Sequence, residues 1–253
     1  MSTRSPMSFQ RIAYEVREVC NGVELAAIEA AVARTGLGAD ATAIDIGTGN
    51  ATVAIRLAQR FGLTVAAVEL DPVMAELARS RIEAAGAGDR VSLTVARAAE
   101  MLARTEPVDL IVALGTTDVS GEGRPTPEAG FLAVRRSLKP GGWLVWGDVV
   151  WLAEPPAPLR QITEATNLYT DDAGWRAAAV AAGFEVIDSR ISPQDVFDAY
   201  AGDSVAAARA WVDAHPEAPE AGSIRFNADR VQAIMEFGRD YIGFGLYLLH
   251  NPD

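Results

Sequence analysis

An α/β fold, with about seven strands and helices on both sheet faces, is what this 253-residue sequence predicts. Apolar runs of strand length alternate with stretches of helical apolar spacing from Ala43 onward, which calls for parallel strands joined by right-handed crossovers. The first such run, Ala43-Ile44-Asp45-Ile46, passes through Gly47-Thr48-Gly49 into a helix that begins at Thr52. Apolar residues make up 49% of the chain, so a large core forms without disulfides or metal staples.

The glycine turn is the centre of the reading. Gly47 and Gly49 accept positive φ and present no Cβ to a ligand. The opening N–H groups of the following helix point over the turn, where they suit a nucleotide or a nucleotide-like cofactor. A dinucleotide fingerprint wants a third glycine or an alanine where this chain has Thr52. Glu69, which ends the next apolar run, lies about twenty residues past the turn, where a carboxylate accepts from ribose hydroxyls. Both cofactor classes share that acid, so the turn alone does not choose between them.

The elements follow in order. Residues 8–34 read as amphipathic helix, broken at Cys20-Asn21-Gly22. Residues 64–69 form the second strand, and Asp71-Pro72 opens a helix over 73–85, with Asp as N-cap and Pro at the first helical position. Strands are expected over 90–95 and 108–114, with a short helix around Glu100-Met101-Leu102 between them. A polar loop (121–127), a helix (128–138) and the turn Lys139-Pro140-Gly141-Gly142 lead into a strand over 143–148. Pro155-Pro156-Ala157-Pro158 reads as rigid and extended. A helix over 171–182, a strand over 184–189, helices over 192–215 and 227–237, and an apolar strand over 241–249 complete the chain.

Composition narrows the function. A net charge of −12 disfavours nucleic acid and anionic membrane surfaces as partners. Cys20 is the only cysteine, so no disulfide framework or zinc spacing is present, and it reads as an ordinary small apolar residue. There is no apolar run of the roughly eighteen residues a membrane span needs, and no signal-peptide apolar region. The expectation is a soluble, cytoplasmic protein.

Five motifs in register carry a family resemblance: Asp45-Ile46-Gly47-Thr48-Gly49, Val68-Glu69-Leu70-Asp71-Pro72, Asp109-Leu110-Ile111-Val112, Leu138-Lys139-Pro140-Gly141-Gly142 and Ala182-Gly183-Phe184. Together they resemble the class I S-adenosylmethionine-dependent methyltransferases over roughly residues 40 to 190. Leu114-Gly115-Thr116-Thr117, Gly147-Asp148-Val149-Val150-Trp151, residues 192–200 and Tyr241-Ile242-Gly243-Phe244-Gly245 are similar to the bacterial small-molecule methyltransferases within that class. Asp148 stands where that subgroup often has Glu.

The resemblance implies a doubly wound, Rossmann-like sheet whose last strand is antiparallel. It implies one methyltransferase domain over 1–253, with an N-terminal helical cap (1–38), a cofactor-binding core (39–191), a helical insertion forming a substrate lid (192–240) and the last strand (241–253). S-adenosyl-L-methionine would be held by Asp45, Gly47, Thr48, Gly49, Glu69, Leu70, Arg97, Ala98, Leu114 and Gly115, with Glu69 on the ribose. Arg97 departs from the family, which usually has an acid there for the adenine amino group. Arginine accepts no hydrogen bond, so backbone groups of Arg97 and Ala98, or arginine stacking, take that role.

The methyl acceptor is expected to be a small molecule reacting at oxygen, nitrogen or carbon. Tyr14, Trp151, Trp175 and Tyr200 are candidate acceptor contacts, each equally suited to core packing, and Asp148 and His215 are candidate bases. No metal is expected, and a homodimer is compatible with the sequence. A non-methylating enzyme of the same fold and a catalytically silent partner subunit remain as alternative readings.

Overall fold

The computed structural model describes residues 7–116, 119–121, 123–165 and 167–252. Thr117, named in the third loop motif above, lies outside them.

The strands are β1 (Thr42–Ile46), β2 (Thr64–Glu69), β3 (Val91–Val95), β4 (Val108–Leu114), β5 (Leu138–Trp151), β6 (Glu185–Ile191) and β7 (Ile242–His250). They form one seven-stranded sheet in the order β3-β2-β1-β4-β5-β7-β6. The pairs β1–β2, β2–β3, β1–β4 and β4–β5 are parallel. β7 runs antiparallel to both of its neighbours, β5 and β6. The chain starts in the middle of the sheet, winds outward to β3, then returns to place β4 on the other side of β1. The order therefore reverses beside β1, the place where doubly wound sheets open a crevice at the carboxyl ends of their strands.

The helices are α1 (Phe9–Glu15), α2 (Leu25–Ala33), α3 (Thr52–Phe61), α4 (Pro72–Ala84), α5 (Ala98–Arg104), α6 (Pro127–Arg135), α7 (Ala157–Thr163), α8 (Asp172–Ala181), α9 (Gln194–Ala214) and α10 (Ala221–Gly238). One core cluster packs α2, α3 and α4 against the sheet through Ile28, Leu57 and Ile82. The other packs α5, α6 and α8 on the opposite face through Leu102, Phe131 and Trp175. A third, smaller cluster joins α1 to α9 and α10 through Ile12, Val212 and Ile224. Among the described residues, no helix is long and apolar enough to cross a membrane.

Four expectations need correction. The break between the first two helices spans residues 16–24, wider than Cys20-Asn21-Gly22. Pro155-Pro156-Ala157-Pro158 is not extended throughout, because α7 starts at Ala157 with Pro158 in its first turn, where a missing N–H costs nothing. β5 begins at Leu138 and absorbs the expected turn. Gly141 takes φ 73° there, and the pairing with β4 shifts between Val108 and Leu110. α10 begins at Ala221, ahead of residue 227, since burial of Ala221 and Ile224 outweighs the low helix propensity of Gly222 and Ser223.

Candidate active site

A cleft of about 460 Å³ opens over the carboxyl ends of β1, β2 and β4. Its floor is the glycine turn. Gly47 and Gly49 sit at φ 68° and 57°, and both Gly47 and Thr48 donate their N–H to the Val68 carbonyl at 2.9 Å. Asp45 is buried beneath, where its Oδ2 accepts from the Thr48 hydroxyl at 2.6 Å. Burial pushes the Asp45 carboxyl up to about 6.

The turn has no room for side chains. A Cβ on Gly47 would lie 2.7 Å from Thr116 Oγ1, and one on Gly49 would lie 2.9 Å from Cys20 Sγ. A Cβ on Gly115, at φ 59°, would collide with Asn21 Oδ1. Three backbone positions on two segments thus line the cleft bare, as a close-fitting ligand requires.

Glu69 forms the adjoining wall at the end of β2. Its Oε2 accepts from Gly49 N at 2.9 Å, and its Oε1 accepts from Leu70 N at 2.8 Å and Asp71 N at 3.0 Å. Burial raises the carboxyl above its usual range, opposed by those three N–H groups. Two oxygens with about four lone-pair directions retain acceptor capacity toward the cleft.

The roof comes from the N-terminal cap. Gln10, Tyr14, Cys20 and Asn21 line the cleft from above. Asn21 Nδ2 donates to the Leu114 carbonyl at 3.0 Å, which ties the roof to β4. The Tyr14 and Tyr200 hydroxyls lie 3.4 Å apart, and the Arg17 guanidinium covers the Tyr200 ring at 5.1 Å. Arg17 Nη1 also bonds the Ala199 carbonyl and Asp203, both at 3.0 Å, so α1 and α9 close the cleft together. Burial pushes the Cys20 thiol up to about 12, and the Tyr14 phenol is raised by neighbouring Tyr200 and by burial.

Residues 43–142 match a family model described as a methyltransferase domain. That match runs from β1 to the opening of β5. The chain is similar to the uncharacterised protein YjhP of Escherichia coli, 24% identical over 212 residues, which span 81% of this chain and 83% of that protein. Two solved structures share the fold of this chain. One is an S-adenosylmethionine-dependent methyltransferase from Thiobacillus denitrificans in complex with S-adenosyl-L-homocysteine (TM-score 0.80, 23% identity, 94% of this chain and 96% of that one). The other is an S-adenosylmethionine-dependent methyltransferase from Geobacter sulfurreducens, also in complex with S-adenosyl-L-homocysteine (TM-score 0.81, 20% identity, 95% and 96%).

Of the residues expected to hold the cofactor, the cleft brings together Gly47, Gly49, Glu69, Leu70, Ala98, Leu114 and Gly115. Asp45 and Thr48 lie under the turn and shape it from below. Arg97 is the N-cap of α5, while its neighbours Ala96 and Ala98 are the ones lining the cleft. Tyr14 lines it and Tyr200 backs Tyr14.

Four expected acceptor or catalytic residues lie elsewhere. Trp175 is core, with Nε1 donating to the Val149 carbonyl at 2.9 Å and its ring against Phe131. Trp151 is core, with Nε1 bonded to Glu164 at 3.2 Å. His215 ends α9 in the open, stacked on Trp211, with Nδ1 2.9 Å from the Trp211 carbonyl. Asp148 is buried on the sheet face that carries Trp146 and opens to a separate small cavity. Sequence reasoning missed Gln10, Asn21, Asn50 and Thr116. Asn50, which directly follows the glycine turn, and Thr116, inside the loop motif after β4, carried a local signal.

Proposed function

We propose that this chain binds S-adenosyl-L-methionine over the β1–α3 turn and passes its methyl group to a small-molecule acceptor. The observation that carries the reading is the placement of the Glu69 carboxylate against the bare turn Gly47–Gly49, 2.9 Å from Gly49 N. When bound, the cofactor supplies a methyl group activated by its positive sulfonium sulfur. The chain supplies position and dryness.

Gly47 and Gly49 let the backbone close on the ligand. Glu69 offers its remaining lone pairs to the ribose hydroxyls. Leu70 and Ala98 flank the adenine, and Leu114 and Gly115 line the approach to the sulfur. Tyr14 and Thr116 face the acceptor end. Cys20 and Tyr14 both stay protonated at neutral pH, because burial raises the thiol and the Tyr200 pair and burial raise the phenol. We therefore assign them to orienting the acceptor and excluding water, without a base role. The net charge of −12 fits a cytoplasmic enzyme acting on small molecules.

Calorimetric titration with S-adenosylmethionine and S-adenosylhomocysteine, with NAD as control, tests the cofactor. Micromolar binding of the first two alone is expected, and no binding of either overturns the reading. Mass spectrometry of acceptor mixtures tests the reaction. A product heavier by one methyl supports transfer, and a rearranged or decarboxylated product of unchanged methyl count points to the non-methylating alternative.

A further inference from the structure

Behind Thr116, on the side away from the cleft, three buried polar atoms find no partner among the described residues: Trp146 Nε1, Asp148 Oδ2 and Asn167 Oδ1. Their residues are 3%, 2% and 6% exposed and line one small cavity. Thr116 borders both this cavity and the cleft. The other polar atoms of Asp148 and Asn167 are already committed. Asp148 Oδ1 accepts from Val149 N at 2.8 Å, and Asn167 Nδ2 donates to the Thr116 carbonyl at 3.2 Å. That donation fixes which end of the Asn167 amide is oxygen. Tyr247, the phenol nearest from β7, has Asp172 as its stronger acidic neighbour.

Two acceptors and one donor around one space form a specific count. Leaving them unpaired in the core costs on the order of 1–3 kcal/mol each. A single water answers all three, because it gives two hydrogens and takes one, and a buried water typically makes about three hydrogen bonds. The space also fits, since the cavity of about 10 Å³ is near the size that admits one water centre.

We propose that this cavity is a binding site for one structural water, which donates to Asp148 Oδ2 and Asn167 Oδ1 and accepts from Trp146 Nε1. The water serves either protonation state of the acid, whose carboxyl burial pushes up to about 7, since it donates to a carboxylate and accepts from a carboxylic acid. Through Asn167 it braces the Thr116 carbonyl, and so the cleft wall. Asp148 is then a positioning residue three hydrogen bonds of the network away from the cleft wall.

A crystal structure of the full chain at a resolution that shows waters tests the site directly. One water about 3 Å from all three atoms is expected. Empty density, or Asp148 and Asn167 oxygens in direct contact through a shared proton, overturns the proposal. Amide hydrogen exchange gives a second readout at Leu168, whose N–H donates to the Pro125 carbonyl at 3.2 Å. Asp148→Leu, which displaces the water, is expected to speed Leu168 exchange on the order of tenfold, while Asp148→Asn keeps it near the wild-type rate. Equal exchange in both variants overturns the bracing role. None of these outcomes depends on S-adenosylmethionine binding, so this site and the cofactor reading stand or fall separately.

Discussion

Asn50 Nδ2 donates to the Arg17 carbonyl at 2.9 Å, which couples the residue after the glycine turn to the chain that roofs it. The same amide reaches the Tyr14 and Glu18 carbonyls at 3.1 and 3.3 Å, while Asn50 Oδ1 accepts from Thr52 N at 3.1 Å. Arg81 adds bonds to the Glu15 and Arg17 carbonyls at 2.7 and 3.3 Å. These are carbonyls at and just past the end of α1, which the helix itself leaves unbonded. Asn50→Ala is expected to cost on the order of 1–3 kcal/mol and to expose residues 9–24 to proteolysis. Asn50→Asp is expected to do no better, because it turns an acceptor toward three carbonyl oxygens. Denaturation midpoints and digestion rates check both, and wild-type behaviour in either variant removes the coupling.

Glu69→Ala is expected to weaken S-adenosylhomocysteine binding by on the order of 1–3 kcal/mol, as two charge-assisted hydrogen bonds are lost. The substitution also frees Gly49, Leu70 and Asp71 N–H, so a melting curve must accompany the calorimetry to show that the titrated protein is folded. A folded variant with wild-type affinity would take Glu69 out of the ribose site.

Two glycine substitutions separate backbone strain from crowding. Gly36 has φ 70° with open space where an added methyl would lie, while Gly47 has φ 68° with Thr116 Oγ1 only 2.7 Å from its Cβ position. Gly36→Ala is expected to cost about 1–2 kcal/mol, the left-handed penalty alone. Gly47→Ala should cost clearly more and also reduce cofactor affinity. Urea titrations of the pair check the ordering, and equal losses would mean that the Thr116 side chain yields freely.

Asp148 makes stability depend on pH. Burial raises its carboxyl from 3.8 to about 7. The unfolded chain ionises first, so this group leaves the fold most stable below about pH 4 and progressively less stable up to about pH 7, beyond which the loss is complete. Asp148→Asn removes that dependence and keeps an oxygen for Val149 N. Its advantage over wild type is expected to be small near pH 4 and to grow to on the order of 4 kcal/mol at about pH 8. Asp45, raised to about 6, titrates in both proteins and cancels in the comparison. Urea midpoints at several pH values check it, and a gap that stays constant with pH would place the Asp148 carboxyl at its ordinary value.

What was legible in the chain was local. β4 runs over 108–114 as its apolar run implies, and Asp71 caps α4 by accepting from Val73 N at 2.8 Å, with Pro72 in the first turn. The glycine turn and Glu69 meet because each ends its own strand in the reversed order beside β1. The roof was not legible. Gln10, Asn21 and Arg81 reach the cleft or its turn across long sequence separations, and nothing in their own neighbourhoods marks them. The tryptophans misled for a related reason: Trp151 and Trp175 bury large rings and still find hydrogen-bond partners, so aromatic content near an expected pocket does not separate wall from core.

β7 sits between β5 and β6, and within the sheet it is the strand through which β6 is attached. Residues 242–250 are thus the last strand along the chain and an interior strand in space. During synthesis, every earlier strand can emerge while the side of β5 that receives β7 still waits for its partner. Completing this sheet takes an insertion, and until β7 is in place the facing edges of β5 and β6 stand open to pairing with another chain. The order of the sheet therefore sets a window of vulnerability to aggregation that closes only when the final strand arrives.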